Sequence, residues 1–236
     1  MNIKKMIGLL LCVPAVSSFA ANDTEMWAKI QYAYTLIDIA NANIQNLFQE
    51  IALLKANQNV HHIGEAYHGG VIFWVDESKQ HGLIASKIDV TEEGIQWRNG
   101  ASGNRITNAK GDGIGAGETN TRLIIASQTM DNQKGQFAAL SASQFQIQTD
   151  GITPCKTPIA HEAICYGGWY LPSAYELQLM HTHLRQKNLV AFTPDYYWTS
   201  TEASTSNAWL INFSTGELTA SNKSNTMGRV RAISRF

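Results

Sequence analysis

Beyond its first twenty residues this chain has no apolar run long enough to anchor it in a bilayer, and it is short of cysteine. It also lacks the signatures of common catalytic centres. No Gly-x-Ser-x-Gly elbow occurs, so a strand-to-helix serine nucleophile is not indicated. The run Gly111-x-Gly113-x-Gly115-x-Gly117 has no Gly-Lys-Ser/Thr ending and follows no clear strand, so it reads as a glycine-rich loop rather than a phosphate cradle. His161-Glu162-Ala163-Ile164-Cys165 misses the zinc-protease helix, because a cysteine stands where the second histidine belongs. His181-x-His183 on a helix would point its two rings apart, so a single ion cannot take both. These absences argue against an enzyme and against a resident metal or other cofactor. An excess of positive charge is missing too, with 18 Lys and Arg against 19 Asp and Glu. Nucleic acid is therefore not an expected partner, and any polyanion site must be a local patch.

What is present begins with a leader. Lys4 and Lys5 form a charged start, Ile7 to Val16 an apolar core of about ten residues, and Ser18-Phe19-Ala20 a small-x-small cleavage site, so 1–20 reads as a secretory signal peptide. Cys12 is preceded by Leu11 where a lipidation site wants a small residue. The mature chain is expected to be exported, to the outside or the cell surface, without a transmembrane anchor. It loses two lysines with the leader, leaving 16 cations against 19 anions. It also keeps two cysteines, Cys155 and Cys165. An even pair in an oxidising compartment suggests one disulfide, worth about 3 kcal/mol in the chain-entropy model, with two free thiols as the alternative.

No Gly or Pro interrupts residues 22–58. Within them Ile30, Ile37, Ile44 and Ile51 recur every seven residues, with Ala33, Ala40, Leu47 and Leu54 at the companion spacing. This is an a/d seam over four heptads and predicts a left-handed coiled coil. Ile at a with Leu at d leans toward two strands, but Tyr34 and Phe48 at e and Leu36 at g widen the apolar stripe beyond what one partner covers. A homotrimer is the expectation, and an amphipathic helix packed on its own head is the alternative. Asn57-Gln58-Asn59 with His61 and His62 mark a linker.

The remainder, 63–236, has the size of one domain. Gly70–Val75 and Gly82–Ala85 read as a hairpin about the turn Asp76 to His81. Leu123 to Met130 begins a candidate helix, and Ser173 to Leu189 a better one, with Ser173 and Glu176 spaced as in a capping box. Tyr197–Thr199, Ala208–Phe213 and Arg229–Ile233 read as short strands, with Ser214 to Glu217 a turn. Few helices, several short strands and long irregular loops predict an α+β head.

Several ordered blocks in this head resemble a known family. They are Tyr67-His68-Gly69-Gly70-Val71-Ile72-Phe73-Trp74-Val75-Asp76, Gln80 to Ile84, Gly113 to Gly117 with Thr119-Asn120-Thr121, and Gly167-Gly168-Trp169-Tyr170-Leu171-Pro172-Ser173 with Glu176-Leu177. Tyr197 to Glu202, Ala208-Trp209 and Val230 to Ile233 complete them. Together they resemble the C-terminal domain family of the Legionella collagen-like adhesin. The resemblance implies a C-type-lectin-like head behind a trimerising helix, and trimers that bind sulfated glycosaminoglycans in adhesion and biofilm formation. The chain departs from that adhesin in having no Gly-x-y collagen repeats. The Glu-Pro-Asn and Trp-Asn-Asp calcium signatures of classical C-type lectins are also absent, so sugar binding here would proceed without calcium.

A basic patch is the candidate site. Between Tyr170 and Phe236, six cations oppose Glu176, Asp195, Glu202 and Glu217. Arg185, Lys187, Lys223, Arg229 and Arg235 are the candidate ligands of an acidic or sulfated polysaccharide, and His181 and His183 add charge in acid. Arg231 reads as structural, paired with Glu176 or Glu202. Strand alternation sets Arg229, Arg231 and Ile233 opposite Val230 and Ala232. Trp169, Trp198 and Trp209 are expected to pack in the core rather than stack on sugar. The rival reading is an envelope protein-binding or assembly module without glycan affinity.

Overall fold

The computed structural model of the chain describes residues 23–56, 60–100 and 102–236. The expected leader lies outside the described residues. The chain divides into two compact units, with the boundary between Gln58 and Asn59.

The first unit is one helix, α1 (Asp23–Ala56), of 34 residues. At 1.5 Å per residue it is about 51 Å long. Asp23 and Glu25 in its first turn and Lys55 in its last complement the helix dipole. Within the single chain the seam is open to solvent: Ile37, Ile44, Leu47, Ile51 and Leu54 are 46% to 69% exposed, and Ile30 is half-buried. Tyr34, Leu36 and Phe48 beside it are exposed as well. Among the described residues, no helix is long and apolar enough to cross a membrane.

The second unit, the head, is α+β. Its strands are β1 (Ala66–Tyr67), β2 (Gly70–Val75), β3 (Gly82–Ser86), β4 (Ile147–Gln148), β5 (Cys165–Tyr166), β6 (Tyr196–Glu202), β7 (Asn207–Asn212), β8 (Leu218–Asn222), β9 (Gly228–Arg229) and β10 (Ile233–Arg235). Its helices are α2 (Ala116–Gln128), α3 (Ala138–Gln144) and α4 (Ala174–Met180), the last continued by a π turn over His181–Arg185. One sheet has the order β1-β2-β3-β10 and a second β8-β7-β6-β9, with β4 and β5 as a separate pair. The last strand thus pairs with the opening hairpin, Ile233 opposite Ala85, and closes the head on its own beginning.

The apolar runs of β2 and β3 follow from burial on both faces. Ile72 and Ile84 enter one core cluster with Trp97, Ile124, Trp169 and Trp198. Val71, Phe73, Leu83 and Ala85 enter another with Leu177, Met180, Tyr197 and Phe213. A strand covered on both sides loses its polar alternation.

Three expectations need correction. The helix placed at Leu123 starts at Ala116, because its buried face carries Gly117, Asn120, Thr121 and Gln128 instead of an apolar stripe. The strand expected over Arg229–Ile233 is two strands: β9 runs parallel to β6, while β10 runs antiparallel to β3. Val230, Arg231 and Ala232 cross between the sheets. Their alternation survives, with Val230 and Ala232 in the first cluster and Ile233 in the second. His61, read as linker, belongs to the head. Its ring lies 4.4 Å from Tyr67 and 5.0 Å from Phe236, and its N–H donates to Lys79 O at 2.8 Å.

Candidate functional site

The helix whose π turn carries three of the seven candidate ligands, His181, His183 and Arg185, begins as its sequence suggests. Ser173 Oγ accepts from the Glu176 N–H at 3.2 Å, and Glu176 Oε2 accepts from the Ser173 N–H at 2.8 Å, a reciprocal capping box. Leu177, Met180 and Leu184 anchor one face in the second cluster. After Met180 the helix widens into the π turn, closed by the Gln186 N–H donating to His181 O at 3.0 Å. It ends at Arg185 rather than Leu189.

This turn presents the basic corner. Arg185 lines a shallow cleft of about 320 Å³ together with His181, Phe213, Ser214 and Thr215. Its Nε is buried and makes no hydrogen bond among the described residues. Lys187, two residues on, is exposed. A guanidinium beside two hydroxyls can receive the oxygens of a sulfate or carboxylate. The histidines serve the fold instead. His183 Nδ1 donates to Phe73 O at 2.7 Å, and the His181 ring stands edge-on to Phe213 with centroids 5.2 Å apart. Burial holds His181 below its ordinary value; a hydrogen bond with Phe213 opposes this and the Arg185 charge adds to it. The fold therefore disfavours the charged form of His181.

Three other candidates are engaged elsewhere. Lys223 is fully buried. Its Nζ donates to Glu202 Oε1 at 2.5 Å, Arg105 O at 2.8 Å and Thr205 O at 2.9 Å, and sits 4.8 Å above the Trp97 ring. Glu202 also accepts the Thr107 N–H at 2.8 Å and the Asn108 N–H at 3.1 Å. Lys223 is structural, since no ligand reaches it. Arg229 Nε pairs with Asp195 Oδ2 at 3.2 Å and its Nη1 donates to Glu92 O at 2.6 Å. Arg235 Nη2 donates to Gly115 O at 2.8 Å and its Nε lies 3.6 Å from Glu118. Half-exposed, it stays reachable but partly neutralised. Arg231 is structural, but its carboxylate is Asp89, at 2.7 Å, not Glu176 or Glu202. Phe192 underlies its guanidinium at 4.3 Å.

Glu176 has a different duty. It is fully buried, and its carboxylate accepts the Gly115 N–H at 2.7 Å and the Gly117 N–H at 3.2 Å besides that of Ser173. Burial pushes its pKa up, and these donors pull it back. The Gly115 and Gly117 amides are thus filled by Glu176, and those of Gly111 and Gly113 by Asn120 Oδ1 and Asp112 Oδ1, so the loop's amides are already engaged within the fold. Gly115, at φ +82°, has the Arg235 guanidinium where a Cβ would stand.

Cys155 and Cys165 form a disulfide joining the ends of a ten-residue separation. Trp169 and Trp198 are core residues, whereas Trp209 is half-exposed. His161 is exposed in a turn, not on a helix. Among the described residues, no group of three or more His, Cys, Asp and Glu is placed to hold a metal ion. Sequence reasoning missed Asp89 as the anion of the Arg229–Arg231 cluster. A buried arginine in a strand announces that a carboxylate must exist, but not that it lies 142 positions earlier, the separation of Asp89 from Arg231. Compared with known proteins, the chain matches no family model and no curated sequence.

Proposed function

We propose that this is an exported, non-enzymatic binding protein of the cell exterior, a homotrimer whose lectin-like heads attach to acidic or sulfated polysaccharide. The observation that carries the reading is α1, whose seam residues from Ile37 to Leu54 stand open to solvent. An apolar stripe of that length marks an interaction surface, and its period fits copies of itself. Three copies would bring three basic corners to one ligand chain. Each corner is weak alone, with Arg185 and Lys187 as its free cations. Joined, they gain from effective concentration. The likeness of the head blocks to the adhesin family, and strand β10 closing on the opening hairpin, support a lectin-like head.

Retention of the full chain on a heparin matrix tests this. Arg185→Ala with Lys187→Ala lowers the salt needed for elution, and removal of residues 22–58 abolishes retention at about 150 mM salt. Unchanged elution of the double variant refutes the corner. A second reading, a protein-binding module of the envelope, draws on the pairing of Lys223, Arg229 and Arg235 with carboxylates. Capture of an envelope protein that competes with no glycan on an array favours it.

A further inference from the structure

A broad concavity of the head is lined by none of the residues of the basic corner. It is a groove of about 600 Å³ between the irregular segment 88–95, the end of α3 and the disulfide loop at Cys155. An adjoining cleft of about 390 Å³ shares Ile95 and Gln136 with it and lengthens it past Lys134. A continuous groove of this size accommodates several sugar units in line.

Its walls are fixed. On one side the Val90 N–H donates to Val230 O at 2.8 Å, the Ile95 N–H to Gly228 O at 2.9 Å, and Trp198 Nε1 to Ile95 O at 2.7 Å. On the other, the Cys155 N–H donates to Gln146 O at 3.2 Å and the disulfide ties Cys155 to Cys165. Phe145 is held edge-on against the core Trp169, centroids 5.5 Å apart. A ligand entering such a groove orders little of the protein.

The lining selects the ligand. Gln144 and Gln146 are exposed on either side of Phe145, and their side-chain amides make no hydrogen bond among the described residues. Each amide both donates and accepts, as sugar hydroxyls do. Ile88, Val90, Ile95 and Phe145 supply apolar surface for the C–H faces of the rings. Among the described residues the charges lining the main groove are Asp89, already paired with Arg231 and Arg229, and Glu92. Among the described residues Lys134 is the one cation along the groove, at its far end in the adjoining cleft, so the main groove offers a sulfated chain no counter-charge.

We propose that this groove is a second binding site, for a neutral polyhydroxylated chain, separate from the basic corner. It gives each head two chemistries, one for charge and one for uncharged sugar.

Calorimetric titration of the full chain with cellopentaose, maltopentaose and chitopentaose tests it. At least one of the three binds with a Kd of about 1 mM. Gln144→Ala with Gln146→Ala weakens that binding about tenfold without moving the melting temperature, since neither side chain bonds within the fold. Ser141→Trp, which fills the groove from the same helix as Gln144, weakens it equally, and Arg185→Ala with Lys187→Ala leaves it unchanged. No binding of any of the three at about 10 mM, or binding that both groove variants leave intact, overturns the proposal.

Discussion

Replacing Lys223 by methionine separates a surface role from a buried one. The substitution keeps most of the stem that packs near Trp97 and removes the charge that faces Glu202. Glu202, also fully buried at its side chain, would keep its bonds from Thr107 and Asn108 but lose its cation. Removing one partner of a buried pair costs about 3–5 kcal/mol. The carbonyls of Arg105 and Thr205 lose a donor as well, at about 1 kcal/mol each. Burial and the three bonds are partly the same energy, so the total is about 4–6 kcal/mol. For a domain of this size that lowers the melting temperature by about 10–20 °C. Glu202→Gln in the same chain should restore part of the loss, because a neutral amide needs no counter-charge. Scanning calorimetry reads the stability, and heparin retention well below the melt reads the binding. Lys223→Met should melt early yet be retained like the wild type, while Lys187→Ala should melt normally and elute early. A Lys223→Met protein with unchanged melting temperature and lost retention would refute the reasoning.

Two further outcomes follow from the geometry. Glu176→Ala strands the Ser173, Gly115 and Gly117 N–H groups inside the head and should cost about 3 kcal/mol or more, whereas Glu176→Gln keeps an acceptor and should cost less; chemical denaturation compares them. His181 is held below its ordinary value, so the fold favours its neutral form. The stability this provides is complete above the unfolded value of about 6.5 and is lost as pH falls through it toward the folded value. Melting curves between pH 7.5 and 5 should therefore drop more for the wild type than for His181→Gln, and equal slopes would sink the assignment.

The parts of this protein legible in its sequence are those written in local periods and caps. The seam of Ile30, Ile37, Ile44 and Ile51 predicts α1, and the short apolar runs about Asp76 to His81 predict the β2–β3 hairpin. Ser173 with Glu176 announces the start of α4, and the pair Cys155 and Cys165 announces its bond. The illegible parts depend on partners far along the chain. Helix α2 hides because its inner face is held by hydrogen bonds, such as Asn120 Nδ2 to Gly111 O at 2.7 Å and the Leu171 N–H to Thr121 Oγ1 at 3.0 Å. The patch dissolved for the same reason. Counting charges between Tyr170 and Phe236 could not see that Asp89 and Glu118, outside that window, would claim Arg229, Arg231 and Arg235, nor that Glu202 would bury Lys223.

The account rests on copies of the helix associating, and sedimentation equilibrium of the chain without residues 1–20 at micromolar concentration tests it directly. The predicted mass is three times that of the mature protomer, falling to a single protomer when Ile37 and Ile44 are both replaced by Asp. A wild-type chain that sediments as a single protomer would contradict the account.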